Sequence, residues 1–408
     1  MTATSPQLGD PKLTKVTVGS IDLLNQATVL GISIYESIFT PATIADITVF
    51  DSTDVIGKTR ILSGEPVSIV FDCMIEGAPT MKLDLMLDQV ADTVAEGAQK
   101  SKVYTLKCVS PEAISAKTNY VQKCYENKLC SDMVKDIVKT YLHSKKSVET
   151  ESTKGTQVVL IPNMNPYHAL SLVQKRSVSS TNKSSLYVFF ESRQTSTQKY
   201  KFVTVESLFK GNVIKSFKQS DAINASLANR TDDNILSYRV SHHGSASFNA
   251  RYARTNRREW DIRSNYEVTY VTQPKPGTTG GTSTTLSPYL DAKIKEAKHP
   301  PASVTPVDTA QRPFTRVGEA TPDTFSYIAT LMQNSMKIRV IGDTVLTAGS
   351  LIYCNIPEKQ GSPGPSKQEP MLTGKFLISR IHHRIGGLTE QPRYTCIIEC
   401  LKGQYEKG

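Results

Sequence analysis

What the sequence lacks narrows the field first. Its seven cysteines, Cys73, Cys108, Cys124, Cys130, Cys354, Cys396 and Cys400, are odd in number, and no two are spaced CxxC. That argues against a structural zinc site or a disulfide framework, and for buried thiols in a protein made and assembled in a reducing cytoplasm. The opening MTATSPQLGDPKLT is polar, and no run approaches the roughly 18 apolar residues of a membrane span. HExxH, P-loop, GxSxG and GxGxxG patterns are all missing.

The residues that tempt a chemical reading are few. His382-His383 and His242-His243 are adjacent pairs, and neighbours on a strand point to opposite faces, so neither pair chelates one ion locally. Glu36, Asp46 and Glu65 read as strand-face or turn residues, and no catalytic carboxylate pair stands out by spacing. The expectation is therefore no catalytic, cofactor-binding or metal-ligating residue and no cofactor: an interaction protein, not an enzyme. The net charge of +10 raises the question of nucleic acid. Its densest patch, Arg251, Arg254, Arg257, Arg258 and Arg263 with Tyr252 and Trp260, is interrupted by Glu259 and Asp261. No helix-turn-helix, zinc-finger or RNP pattern accompanies it, so a solvated or subunit-contacting face is expected and no dedicated nucleic-acid site.

What is present is mostly β pattern. At about 100–200 residues per domain, 408 residues imply several domains. The stretch Thr373–Lys402 alternates with a period of two on both sides of Gly386-Gly387, which spells a β-hairpin whose core includes Ile381 and Ile398. Earlier, Lys15–Val18, Ala27–Ile38, Ala42–Asp51, Pro66–Cys73, Lys82–Val94 and Lys102–Ser110 alternate or carry β-branched runs, enough for a small barrel or sandwich. The pattern changes after Pro111. Ser131 reads as the cap of a helix with a Val134, Ile137, Val138, Tyr141 and Leu142 stripe, with Leu129 as a staple before it. Asn165-Pro166 reads as an N-cap with proline at the first helical position, opening a helix that buries Tyr167, Leu170 and Val173. Strands are expected at Gln157–Pro162, Leu186–Glu191 and Tyr200–Val205, and ILSYRVSH, FNARYAR and YEVTYVTQ look extended. Residues 274–322 are dominated by Pro, Gly, Thr and Ser, with one short helix expected around Asp291–Lys298, and a further helix begins at Asp323 or Thr324.

The order of blocks is itself informative. FTPATIADITVFDSTDVIGKTRILSGEPVSIVF is followed by YTLKCVSPEAI, NKLCSDMVKDIVKTYL and IPNMNPYHALSLVQKRS, then LYVFFE, and the chain closes with KIRVIGDTVLTAGSLIYCNIP, LTGKFLISRIHHRI and YTCIIECLK. This resembles the central baseplate hub proteins of contractile-tailed (myovirus) phages and, more distantly, the hub half of type VI secretion spike proteins. The likeness covers most of Lys15–Lys402 and is weakest over residues 241–322. It implies an α+β, mainly β fold: two tail-tube-like antiparallel β-barrel domains, the second discontinuous, plus a small α+β module and a loop-rich insertion. The divisions it implies are 1–109 for the first barrel, 110–205 for the α+β module, 206–240 and 323–408 for the two parts of the second barrel, and 241–322 for an extended Pro/Gly/Thr-rich insertion.

The function implied is structural. A homotrimeric hub would join a separate trimeric spike to the tail tube and initiate tube assembly in the virion baseplate, built in the cytoplasm of the infected bacterium. Its partners would be the spike, the tail-tube protein and neighbouring baseplate proteins, with the tape-measure protein as a further one and no membrane. A trimer of duplicated barrels meets a threefold spike and a sixfold tube at once. Two other readings compete. A tail-tip peptidoglycan hydrolase needs a compact extra domain, for which no segment has the length and order; a DNA-channel protein would turn its arginines towards nucleic acid.

Overall fold

Apolar–polar alternation places the first strands where it occurs. The computed structural model describes residues 8–402 except 60, 97–100, 183, 194–197, 220–230, 243–244, 256–261, 273–333, 358–371 and 387–392. The first elements are β1 (Pro11–Val18), β2 (Ile21–Asp22), α1 (Leu23–Gln26), β3 (Thr28–Ser37), β4 (Ile44–Asp51), α2 (Val55–Thr59), β5 (Pro66–Cys73), β6 (Met81–Glu96) and β7 (Ser101–Val109). On β4 the alternation buries Ala45, Ile47 and Val49, and on β5 Val67, Ile69 and Phe71. After β4 the carboxylate of Asp51 accepts from the backbone N–H of Thr53 (2.9 Å) and Val55 (2.7 Å), an Asx turn that stops the strand and starts α2. All six expected strands are present; β2, α1 and α2 carry too few residues for a periodicity to announce them.

The next elements are α3 (Pro111–Thr118), β8 (Val121–Lys128), α4 (Cys130–Thr140), β9 (Val148–Thr150), β10 (Gln157–Met164), α5 (Pro166–Gln174), β11 (Tyr187–Ser192), β12 (Lys199–Thr204) and α6 (Val205–Phe209). Asn165 caps α5 as its sequence announces, accepting from the Tyr167 N–H at 2.9 Å, and Leu170 and Val173 are buried while Tyr167 is half-buried. The cap of α4 departs from expectation. Leu129 holds the cap position, and Ser131 lies inside the helix with its backbone N–H donating to Thr153 Oγ1 at 3.2 Å. A hydroxyl from a distant loop thus satisfies an amide that a local cap would otherwise serve. Met133, Val134, Ile137 and Val138 of α4 pack with Leu170, Val173, Tyr187 and Phe202 into a core of their own.

Beyond these come β13 (Val213–Gln219), β14 (Asn234–His242), β15 (Ser245–Thr255), β16 (Ile262–Thr272), β17 (Asn334–Ile341), β18 (Leu351–Asn355), β19 (Gly374–Ile385) and β20 (Tyr394–Leu401). β15 and β16 pair as an antiparallel hairpin with Arg254 opposite Arg263 and Arg251 opposite Tyr266. Arg257, Arg258 and Trp260, and the helices expected around 291–298 and from 323, fall outside the described residues. β19 and β20 form the expected terminal hairpin, in which Ile381 faces Ile398 and both are buried.

One sheet of 13 strands joins the two β regions in the order β18-β13-β14-β17-β20-β19-β3-β4-β7-β6-β5-β1-β2. β18 also pairs with β19, so β18, β13, β14, β17, β20 and β19 close into a ring. One edge of β19 carries β20 along most of its length. Its other edge is divided: Gly374–Leu377 pair with β18, and Arg380–Ile385 pair antiparallel with β3. A register shift between Ile378 and Arg380 lies where the two pairings meet. Apolar side chains of both β regions, from Val16 and Ile47 to Ile338 and Ile398, belong to one continuous core. The fold is therefore mainly β, a closed ring of strands continued by further strands, with a smaller α+β part; the expected antiparallel pairing holds except at β13, which runs parallel to both β14 and β18 within the ring.

Candidate functional site

The polar groups gathered inside this fold lie where the three regions meet. Glu36 points inward from β3 and is buried. It accepts from Arg193 Nε at 2.5 Å, Thr347 Oγ1 at 2.6 Å and the Ala348 N–H at 3.2 Å. Arg193, just after β11, also donates to the Leu346 carbonyl at 3.3 Å and lies 3.4 Å from His383 Nε2. Burial alone pushes the Glu36 carboxyl up; Arg193 and His383 beside it more than offset this, and it ends below the ordinary carboxylate value. Segments far apart in the chain therefore converge on one ion pair.

A second ionic link runs along the same seam, and a third lies within the second β region. Glu191 of β11 accepts from Ser110 Oγ at 2.5 Å, the Thr43 N–H at 3.2 Å and Lys146 Nζ at 2.7 Å. Lys146 also reaches Glu112 of α3 at 2.7 Å. Burial works against its charge, yet Glu191 and Glu112 hold its ammonium above the ordinary lysine value. On the far side, Lys215 of β13 bridges Asp232 at 2.7 Å and Asp343 at 2.5 Å. Two glycines of the loop between β17 and β18 complete the junction. Gly342 lies under the Tyr394 ring, where a Cβ would come within 2.1 Å, and Gly349, at φ +81°, abuts Phe190 of the α+β part.

One constellation here has the composition of a nucleophilic site. Cys396 Sγ lies 3.2 Å from His383 Nδ1, and His383 Nε2 lies 3.8 Å from Glu36 Oε1. The electrostatics are opposite to those of an activated thiol. Burial pushes the Cys396 thiol up to about 12 and His383 down to about 3, so neither thiolate nor imidazolium forms near neutrality. His383 and Cys396 have no exposed surface, and Tyr394 Oη sits closer than the thiol to the same ring nitrogen, 2.8 Å from Nδ1. The cluster is a packed polar core with no room for a substrate.

The other residues singled out by the sequence are placed as follows. His382 and His383 do point apart: His383 is buried, and His382 stacks on Tyr35 outside, ring centroids 4.4 Å apart. His243 is outside the described residues, as is the side chain of His242. Among the described residues no group of three or more His, Cys, Asp or Glu is arranged to hold a metal ion, and no helix is long and apolar enough to cross a membrane. The described cysteines are free thiols, buried except for Cys124. Sequence reasoning passed over Arg193, Lys146 and Lys215, because nothing local distinguishes a buried cation from a surface one.

Comparison with known proteins adds the fold. A scan against known protein families and a search among characterised proteins both find no match. Solved structures do match. The tail protein from Neisseria meningitidis superposes with a TM-score of 0.55 at 10% identity, covering 96% of this chain and 97% of that one. The 43 kDa tail protein of prophage MuSo2 from Shewanella oneidensis gives 0.54 at 9% identity over 97% of this chain and 99% of that one. A component of the E. coli type VI secretion system, described as structurally similar to T4 bacteriophage tail proteins gp27 and gp5, gives 0.50 at 10% identity, covering 97% of this chain and 79% of that one. The chain has the fold of these tail proteins along nearly its whole length.

Proposed function

We propose that this chain is a structural component of a phage tail, the hub of the baseplate, and that it works by binding and not by turnover. The observation that carries the reading is a fold shared end to end with tail proteins, in two β regions that pair edge to edge through β3 and β19. A chain with two barrel-like regions, associating as a homotrimer, offers six similar barrels around one axis. That arrangement lets a threefold spike meet a sixfold tube without an unsatisfied interface. On this reading residues 1–109 form one barrel unit, 206–240 with 323–408 the other, 110–205 the module between them, and 241–322 an insertion. One end of the ring seats a separate trimeric spike, the other templates the first ring of tail tube, and neighbouring baseplate proteins and the tape-measure protein complete the surroundings. Assembly takes place in the cytoplasm of the infected bacterium.

The buried ionic seam suits such a part. It holds three regions in one relative orientation, and a ring that must match its neighbours at every repeat gains affinity from fixed geometry multiplied around the axis. The test has two arms. Light scattering of the purified chain at micromolar concentration, combined with imaging down the symmetry axis, should give a trimer with a central channel; a monomer or dimer both in solution and in assembled tails would remove the basis of the reading. Deleting the protein from its phage should leave no ordered baseplate and no correctly initiated tube, with spike unassembled. Normal tails lacking only cell-wall digestion would select a hydrolase instead.

A further inference from the structure

The two β regions repeat one strand order. In the shared sheet, β3-β4-β7-β6-β5 of the first region matches β14-β17-β20-β19-β18 of the second, and every neighbouring pair in both series is antiparallel. The match extends to the irregularities. β3 shifts register against β4 between Val29 and Gly31, and β14 against β17 between Ile235 and Ser237. β6 shifts against β7 between Leu87 and Gln89, and β19 against β20 between Ile378 and Arg380. Aligning the two registers puts Tyr238 in the place of Ile32, and Gln89 in the place of Arg380.

The pairing of β3 with residues 380–385 of β19 has a counterpart under this correspondence: β14 with the part of β6 that starts at Gln89. Both counterparts are open. β14 pairs with β13 only through Asn234 and Ile235, so residues 236–242 have no strand on that side among the described residues. β6 pairs with β5 over residues 81–86, and the Leu87 backbone bonds to Gly64 and Glu65, which leaves residues 89–96 without a strand on that edge among the described residues. Within the chain the two open edges are kept apart, with β17, β20, β19, β3, β4 and β7 between them. Their sequences suit each other. Residues 88–96 include Asp88, Asp92 and Glu96 and no Lys or Arg, while 236–242 include Arg239 and His242 and no carboxylate. Neither stretch has the proline or lysine that guards an edge in a protein that stays alone, and Val94 is 61% exposed.

We propose that the open edge of β14 in one copy pairs antiparallel with residues 89–96 of β6 in the next copy, repeating between chains the junction that β3 and β19 make within one. Such strand addition is a head-to-tail contact, and it builds a ring when its rotation closes. In register, Ser241 faces Ala91 and Arg239 faces Val94, as Tyr35 faces His382 and Ser33 faces Arg384 within the chain. The number of copies, three, rests on the homotrimer reading above; the pairing itself rests on the repeated strand order.

The test is a disulfide between copies of the full chain, in a Cys124→Ser background that removes the exposed native thiol. Ala91→Cys with Ser241→Cys is oxidised with diamide, since directly opposed Cβ atoms lie about 4.5–5.5 Å apart, close to disulfide distance. The expected result on a non-reducing gel is a series of linked chains ending in a closed ring of three. Val94→Cys with Arg239→Cys is a second in-register pair and keeps the readout if the first variant misfolds. Ala91→Cys with Val240→Cys is one residue out of register, on the opposite face, and should cross-link at least about tenfold less. Cross-linking no stronger than in that control overturns the pairing, and light scattering then separates the two readings: a trimer leaves the hub standing, and a monomer counts against it as well. A ring that closes at another number supports the pairing and counts against the trimer.

Discussion

Glu36 and His383 are two buried ionisable groups whose protonation the fold resists, and the consequence is a defined acid sensitivity. His383 is held at about 3 in the folded chain against an ordinary 6.5, first by burial. The unfolded chain therefore takes up a proton below about 6.5 that the folded chain refuses, and stability falls as pH drops from 6.5 towards 3. Glu36, depressed below its ordinary 4.5, adds a loss in the same direction once pH falls beneath that value. His383→Gln should flatten the stability profile between about 6.5 and 4.5 even if it lowers stability at neutral pH. Urea unfolding at several pH values measures this, and an unchanged slope would mean that the proton uptake lies elsewhere. Arg193→Met strands the Glu36 carboxylate in the core and should cost about 3–5 kcal/mol; adding Glu36→Gln should recover part of that loss, because the uncompensated charge is gone. Equal loss in the single and double variants would place the effect in packing.

At the scale of elements, the two helix starts of the α+β part make opposite tests of local reading. Asn165 is a cap written in the sequence, and Asn165→Ala should cost about 1 kcal/mol. Thr153 is a remote substitute for a cap on α4, and Thr153→Val, similar in shape but without the hydroxyl acceptor, should destabilise by about 1–3 kcal/mol through the stranded Ser131 N–H. Thermal unfolding of both variants decides whether the remote hydroxyl matters as much as the local one. The same contrast explains what was legible beforehand. The period of two in β3, β4, β5 and β20 follows from having one face in the core, so it appears in the residues themselves. Ser131 looks like a cap only until the chain brings Thr153 beside it. The candidate site was hidden for the same reason: Glu36 reads as a strand-face residue, and Arg193, His383 and Thr347 become its partners only after β3, β11 and β19 meet.

For the whole molecule, the shared core predicts shared stability. Ile381 and Ile398 face each other beside the junction, and replacing either with Ala should cost about 2–5 kcal/mol. Because the core is continuous from Val16 to Ile398, the loss should reduce amide exchange protection in β4 and β5 as well as in β17 and β20. Loss of protection confined to the second region would mean that the two unfold independently.

The divided edge of β19 also has a consequence in time. β3 spans residues 28–37; β4 covers one of its edges at once, but the other finds its neighbour only in residues 380–385. During synthesis at about 5–20 residues per second, that second edge of β3 stays open for tens of seconds with its hydrogen-bonding groups unmatched. A chain that stops before β19 can neither close the β18–β19 ring nor cover β3, so premature termination products carry a reactive edge and cannot present both β regions in their finished form. Completion of the polypeptide thereby acts as a checkpoint on which molecules have the β3 edge covered and the ring closed.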